Sequence, residues 1–436
     1  MILTTKTRYG LLRGVWKQEY SVFRGIPYAA PPEGALRWRR PQPPLPWEGI
    51  RDAASFAPRA WQLGQEPGSL YQKEFYNDED FMPPMAEDCL YLNVWTPAAS
   101  EEDRLPVALW LHGGAYINGF SSELEFDGAA YARQGVILVT IAYRLGALGF
   151  LTHPWLEEQP SGNYGLYDAL AALDWVRENI GAFGGDRDNI TLFGQSAGAM
   201  AAQALISSKL SRGKIHRAIF QSGGGYQTGF SPGTPPEKLA EMGEAFVREA
   251  GVSSKEELLN LPAERIIDAQ KALFFKAMAR GGLPFAPCVD GSLLAAEGDE
   301  LLAKGEHLDI PYMLGSVGND MGIPPGGGPR EGPLHKGCAA FSRLQESLGR
   351  KPAWVYCFTQ KPQGDDAGAF HSAELWYMFG TLGRSWRPKT AGDLELSFRM
   401  VSYWRNFMTR GDPNGPGLAE WKPCDKADGF VMELRS

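Results

Sequence analysis

Ser196 stands in Gly194-Gln195-Ser196-Ala197-Gly198, a serine with a glycine two residues away on either side. A serine hydroxyl is a weak nucleophile until a base removes its proton and a carboxylate orients that base. The spacing suits a sharp turn that lifts the hydroxyl clear of the backbone. Side chains at 194 and 198 would collide in such a turn, so both positions call for glycine. The flanks agree. Asn189-Ile190-Thr191-Leu192-Phe193 reads as a short apolar strand, and Ala199-Met200-Ala201-Ala202-Gln203-Ala204-Leu205-Ile206 is rich in helix formers. Strand, turn and helix in this order predict a nucleophile presented at the end of a sheet strand.

In elbows of this kind the acid follows the serine and the base follows the acid. Asp320 lies five residues beyond the apolar run Ile310-Pro311-Tyr312-Met313-Leu314-Gly315 and is the preferred acid. Asp290 also follows Ser196, but Pro287-Cys288-Val289-Asp290-Gly291 reads as a turn. With Asp320 as acid, two of the six histidines remain as bases, His335 and His371. His335 opens what reads as a helix. His371 lies past a further strand at 354–358, the usual layout, and is preferred. A third requirement is a set of N–H donors for the charge that develops on the carbonyl oxygen. Leu109-Trp110-Leu111-His112-Gly113-Gly114-Ala115-Tyr116 leaves a strand and enters a glycine loop. The N–H groups of Gly114 and Ala115, with that of Ala197, are the candidate oxyanion donors.

These residues need a scaffold. Apolar runs at 107–111, 136–142, 190–193 and 218–221 read as buried strands, with further candidates at 311–315 and 354–358. A helical pattern at 167–176 lies between two of them. Alternation of this kind predicts an α/β fold with a mostly parallel sheet and a site at the strands' carboxyl ends. The stretch from about 235 to 304 is charged and helix-forming and reads as an insertion covering the sheet edge. In 323–333, eight of eleven residues are proline or glycine, so this is a loop, neither helix nor central strand. It is either a plain surface loop or a mobile rim of the site.

The 436 residues are 44% hydrophobic and 22% charged, with a net charge of −8. The acidic balance argues against nucleic acid or an anionic membrane as partner. No apolar run approaches a membrane span, and the first residues lack a signal-peptide pattern. Five cysteines, odd in number and without a C-x-x-C pair, form neither a disulfide framework nor a zinc site and suit a reducing cytoplasm.

Nearly the whole chain resembles the type B carboxylesterases, the family that also holds the cholinesterases. The resemblance rests on Phe23-Arg24-Gly25-Ile26-Pro27-Tyr28-Ala29-Ala30-Pro31-Pro32, Leu36-Arg37-Trp38 and Glu87-Asp88-Cys89-Leu90-Tyr91-Leu92-Asn93. Tyr143-Arg144, Gly146, Phe183-Gly184-Gly185-Asp186, Gly411-Asp412-Pro413-Asn414 and Trp421 extend it. It implies one α/β-hydrolase domain over 1–436, with a helical cap insertion at about 235–304 that is reduced relative to large members. The family's nucleophile falls on Ser196, its base on His371, and its oxyanion donors on Gly114, Ala115 and Ala197. Its acid, a glutamate in many members, falls on Asp320. Arg37 with Glu87, and Arg144 with Asp168, fall on internal ion-pair positions. The resemblance implies no metal or organic cofactor. The partner is a small-molecule ester, and the oligomeric state stays open between monomer and homodimer.

Three departures qualify the resemblance. The cysteine that pairs with E-D-C in secreted members is replaced near Ala60, so Cys89 is expected to be a free thiol. Glu79 and Phe81 stand where cholinesterases carry a tryptophan for quaternary ammonium, and Gln195 is neutral, so choline esters are not expected. Asp320 and His371 are closer in sequence than in large members, which predicts a more open pocket. Of Trp61, Tyr71, Phe75, Tyr76, Phe81, Tyr116, Phe120, Trp376, Tyr377 and Phe379, three or four are expected to line that pocket. The expected function is hydrolysis of uncharged short- to medium-chain or aryl esters through an acyl-serine. The alternatives are a hydroxycinnamate esterase and a non-catalytic binding homologue.

Overall fold

The computed structural model describes residues 1–156, 161–278 and 283–436. Its centre is a ten-stranded sheet. In chain order the strands are β1 (Val15–Trp16), β2 (Ser21–Pro27), β3 (Tyr91–Thr96), β4 (Leu105–Leu111), β5 (Ile137–Ile141), β6 (Gly185–Gln195), β7 (Arg217–Gln221), β8 (Tyr312–Val317), β9 (Trp354–Phe358) and β10 (Met432–Leu434). Their spatial order is β10-β9-β8-β7-β6-β4-β5-β3-β2-β1. From β5 through β10 neighbours run parallel, while β5–β3, β3–β2 and β2–β1 are antiparallel. The six expected strands are thus β4 to β9. The antiparallel end and β10 escape sequence reading because they are short or carry mixed patterns.

Period-two alternation splits the buried side chains between two faces. Leu109, Leu111, Leu192 and Ala218 belong to one core cluster, and Ala108, Trp110, Phe193 and Ile219 to the other. The major helices are α1 (Leu70–Phe75), α2 (Gly146–Phe150), α3 (Tyr164–Asn179), α4 (Ala197–Ile206), α5 (Pro236–Ala250), α6 (Ala263–Met278), α7 (Pro333–Ser347) and α8 (Ala391–Arg410). Helices α3 and α4 join the first cluster. Leu396, Met400, Trp404 and Phe407 of α8 cover the second.

The described residues of the 235–304 insertion are mostly helical, and among them α6 rests beside an interior strand instead of an edge of the sheet. Helix α6 rests on α2, where Gln270 Oε1 accepts from the Ala147 N–H at 2.8 Å. Because α2 follows β5, an interior strand, the insertion sits by the carboxyl ends, while the edges are β1 and β10. The 323–333 stretch holds only one short 3-10 turn, Pro329–Glu331, before α7.

Both expected ion pairs form. Arg144 Nε and Nη2 each donate to the Asp168 carboxylate at 2.8 Å, with side chains 4% and 0% exposed. Arg37 Nε donates to Glu87 Oε2 at 2.7 Å and its Nη1 reaches the Leu259 and Leu261 carbonyls, tying the insertion to the N-terminal segment. All five cysteines are free and buried, Cys89 among them. Removing one partner of a buried pair leaves an uncompensated charge, at a cost of about 3–5 kcal/mol. Asp168→Ala is expected to lower unfolding free energy by about that much in a urea titration; an unchanged midpoint contradicts this reading of the pair.

Candidate active site

The elbow is built from backbone contacts. Strand β6 ends at Gln195, and Ser196 takes φ 55° and ψ −126° before α4 begins at Ala197. That conformation is rare for an L-residue and is held by its surroundings. The Ser196 N–H donates to the Gln221 carbonyl at the end of β7, at 2.8 Å. A Cβ at Gly198 would stand 2.1 Å from the Leu111 carbonyl oxygen, and one at Gly194 would stand 2.5 Å from the Gly198 carbonyl carbon. Glycine at both positions lets α4 start directly against β4 and β6.

The loop after β4 lies beside it. Gly114, Ala115 and Tyr116 all have positive φ, at 100°, 53° and 61°. Ile117 and Asn118 both donate to the Gly114 carbonyl, which closes a tight turn. Among the described residues no acceptor takes the N–H of Gly114, Ala115 or Ala197. His112 anchors this loop. Its Nδ1 lies 2.9 Å from the Gly113 carbonyl oxygen, its ring stacks on Tyr143, and burial pushes its pKa down to about 4, so it is a neutral structural residue.

Asp320 follows β8 and His371 follows β9. His371 Nδ1 lies 2.6 Å from Asp320 Oδ1. The other Asp320 oxygen accepts from Ser222 Oγ at 2.7 Å and from the Val317 N–H at 3.1 Å, and Met321 N–H donates to Oδ1 at 2.9 Å. Burial opposes ionisation of Asp320, but the hydrogen bond and charge of His371, with the bonds from Ser222 and Val317, outweigh it and hold the carboxyl below its ordinary value. Burial likewise opposes protonation of His371, and the Asp320 bond and charge reverse that, so its pKa stands above 6.5. With Nδ1–H directed at Asp320, Nε2 carries the lone pair. Its described partner is the Gln195 side-chain amide nitrogen, 3.2 Å away. Ser196 and His371 line the same cavity of about 480 Å³, together with Gly114 and Ala115.

The rejected alternatives have other duties. Asp290 Oδ1 accepts from the N–H groups of Ser292, Leu293 and Leu294, which makes it a turn residue. His335 lies 3.1 Å from Ser316 Oγ within α7. Of the aromatic candidates, Tyr71, Phe75 and Tyr76 line the cavity, with Phe126 and Phe274 in addition, while Trp376, Tyr377 and Phe379 belong to the core. Sequence reading missed Ser222 and Glu374. Glu374 stands three residues past His371, and burial, then the charge of Asp320, push its carboxyl up to about 7. The Gln221 amide donates to it at 3.4 Å and accepts from Trp404 Nε1 at 3.1 Å. Among the described residues no group of His, Cys, Asp or Glu side chains is placed to hold a metal ion.

The sequence profile described as the carboxylesterase family matches residues 2–324 and 335–436. The chain belongs to the carboxylesterase family. The para-nitrobenzyl esterase of Bacillus subtilis (strain 168) is 32% identical, over 94% of this chain and 90% of that protein. The fumonisin B1 esterase of Sphingopyxis macrogoltabida is 33% identical, over 100% of this chain and 86% of that protein. A solved para-nitrobenzyl esterase structure superposes with a TM-score of 0.86 at 30% identity, covering 100% of this chain and 96% of that one. This carboxylesterase therefore has the α/β-hydrolase fold and is an ester hydrolase. Ionised imidazole cannot accept a proton, so ester turnover that uses His371 as base falls as pH drops through its pKa. The acid limb of kcat/KM for p-nitrophenyl butanoate is expected to centre above 6.5; a limb centred below that value contradicts the His371–Asp320 coupling.

Proposed function

We propose that this carboxylesterase cleaves esters with uncharged short- to medium-chain or aryl groups through an acyl-Ser196 intermediate. The observation that carries this reading is convergence: one cavity presents Ser196, His371 with Asp320 bonded behind it, and the unengaged N–H groups of Gly114 and Ala115. In the proposed cycle Gln195 yields His371 Nε2 to the Ser196 hydroxyl as substrate enters. Contacts of this kind are often loose without substrate and tighten in the complex. His371 takes the hydroxyl proton as Oγ attacks the carbonyl carbon. The N–H groups of Gly114, Ala115 and Ala197 receive the negative oxygen, where each donor is worth about 2.7–4 kcal/mol in the transition state. The imidazolium, stabilised by Asp320, then gives its proton to the departing alcohol. Water releases the acid by the same route.

The apolar and aromatic lining supports uncharged acyl groups, and the name of the para-nitrobenzyl esterase relative supports aryl-type alcohols. Five unpaired cysteines support a reducing, cytoplasmic setting. The test is initial rates on p-nitrophenyl acetate, butanoate and octanoate and on methyl ferulate. Wild type is expected to favour the shorter acyl chains, and Ser196→Ala to lose on the order of 10³-fold or more in kcat. Asp320→Asn is expected to lose about 10⁴-fold by holding the wrong imidazole tautomer. A strong preference for the ferulate replaces the substrate reading with a hydroxycinnamate esterase. Parental rates in a folded Ser196→Ala overturn the mechanism.

A further inference from the structure

The base is engaged before any substrate arrives. His371 Nε2, the atom that would take the serine proton, lies 3.2 Å from the Gln195 side-chain nitrogen. The ring's other described bond joins Nδ1 to Asp320, and neither bond reaches Ser196. With Nδ1–H directed at Asp320, Nε2 of the neutral ring can only accept, and an amide nitrogen is the donor it requires. Gln195 is 2% exposed and His371 9%, so water screens the contact little.

Neighbouring backbone seats the amide. Gln195 is the last residue of β6, in register with Gln221 of β7. Its side-chain oxygen lies against Gly113 in the loop after β4. A Cβ at Gly113 would stand 2.9 Å from Gln195 Oε1 and 3.1 Å from Ser196 Cβ. Gly113 has no positive φ, so glycine is needed there for space and not for conformation. The amide oxygen takes that space, which leaves the nitrogen turned to the imidazole. Gly113, Gln195, Ser196 and His371 line one cavity, so an entering ester meets the amide together with the hydroxyl.

The single lone pair of Nε2 serves one donor at a time, so the amide and the Ser196 hydroxyl compete for it. We propose that Gln195 is a positioning residue, a latch whose amide occupies the lone pair of His371 Nε2 in the free enzyme and releases it to the Ser196 hydroxyl once an ester enters. This rests on the esterase reading above and goes beyond it by assigning a residue that acts through the base. The proton count requires the release. On attack the Oγ proton moves to Nε2 and then to the departing alkoxide, and an amide N–H still in place would face a second N–H. Before attack, burial and the amide bond favour the neutral ring, while Asp320 and Glu374 favour imidazolium. Tyr71 donates to the His371 carbonyl at 3.2 Å and stays neutral, since burial raises its pKa. Glu66, Glu123, Glu125 and Lys271 line the cavity without a hydrogen bond or ion pair to His371 among the described residues.

The free enzyme sets the acid limb of kcat/KM, and substrate-bound states set that of kcat. The test measures both limbs for p-nitrophenyl butanoate in wild type, Gln195→Met and Gln195→Glu. Methionine keeps the length of the side chain and loses the donor to the neutral ring. It is expected to raise the kcat/KM limb by about half a pH unit or more and to leave the kcat limb near its wild-type position. The carboxylate of Gln195→Glu favours imidazolium with or without substrate and is expected to raise both limbs by about one unit or more. The position of a limb does not depend on the fraction of enzyme that folds, so partial misfolding does not imitate these shifts. A kcat/KM limb that stays at or below the wild-type pH in Gln195→Met, or in Gln195→Glu, overturns the contact. Equal shifts of the two limbs in Gln195→Met overturn its release. None of these results touches the esterase reading, which fails if folded Ser196→Ala keeps the parental rate.

Discussion

The site depends on one close approach of backbones. Helix α4 begins 2.1 Å, measured from an imagined Cβ of Gly198, from the Leu111 carbonyl at the end of β4. No side chain fits there, so the chain must turn from β6 into α4 within a single residue. That residue is Ser196, held at positive φ by its N–H bond to the Gln221 carbonyl and by the two strands on either side. Strain at this point is sustained by the packing of the whole sheet, since parallel pairing sets Gly194 opposite both Leu111 and Phe220. The same junction places the Ala197 N–H beside the loop that follows β4. The candidate nucleophile Ser196 and the unengaged N–H groups proposed as oxyanion donors are therefore consequences of one packing constraint.

Electrostatics complete the arrangement by a similar economy. Asp320 and His371 follow two adjacent strands, β8 and β9, and Ser222 follows the neighbouring β7. Three strands' carboxyl ends thus converge on one carboxylate. Asp320 is shorter than glutamate, and its loop is drawn in by Val317 and Met321 N–H groups on its two oxygens. Burial alone would neutralise both Asp320 and His371. Their mutual hydrogen bond keeps the aspartate charged and the imidazole basic, which is the combination that a proton shuttle needs.

How much of this could be read in the sequence follows from the range of the forces involved. The parallel strands were legible because burial on both faces leaves continuous apolar runs, as in Val107–Leu111. The elbow and the glycine loop were legible because few residue types tolerate their backbone geometry. Asp320 and His371 could be narrowed by chain order. Ser222 could not, since it meets Asp320 across 98 residues through sheet register, and serine after a strand is common. Glu374 left a weak signal, a carboxylate three residues past His371. The helical insertion was legible as helix, but not its seat on α2, which depends on Gln270 reaching the Ala147 N–H.

The central claim is that Ser196 is the residue acylated during turnover. It is tested most directly by inactivating the protein with a p-nitrophenyl alkylphosphonate and mapping the adduct by peptide mass spectrometry. The account predicts one adduct per chain, on the peptide containing Ser196, rising in step with the loss of esterase activity and absent in Ser196→Ala. An adduct on another residue that tracks inactivation, or full activity with Ser196 modified, would contradict it.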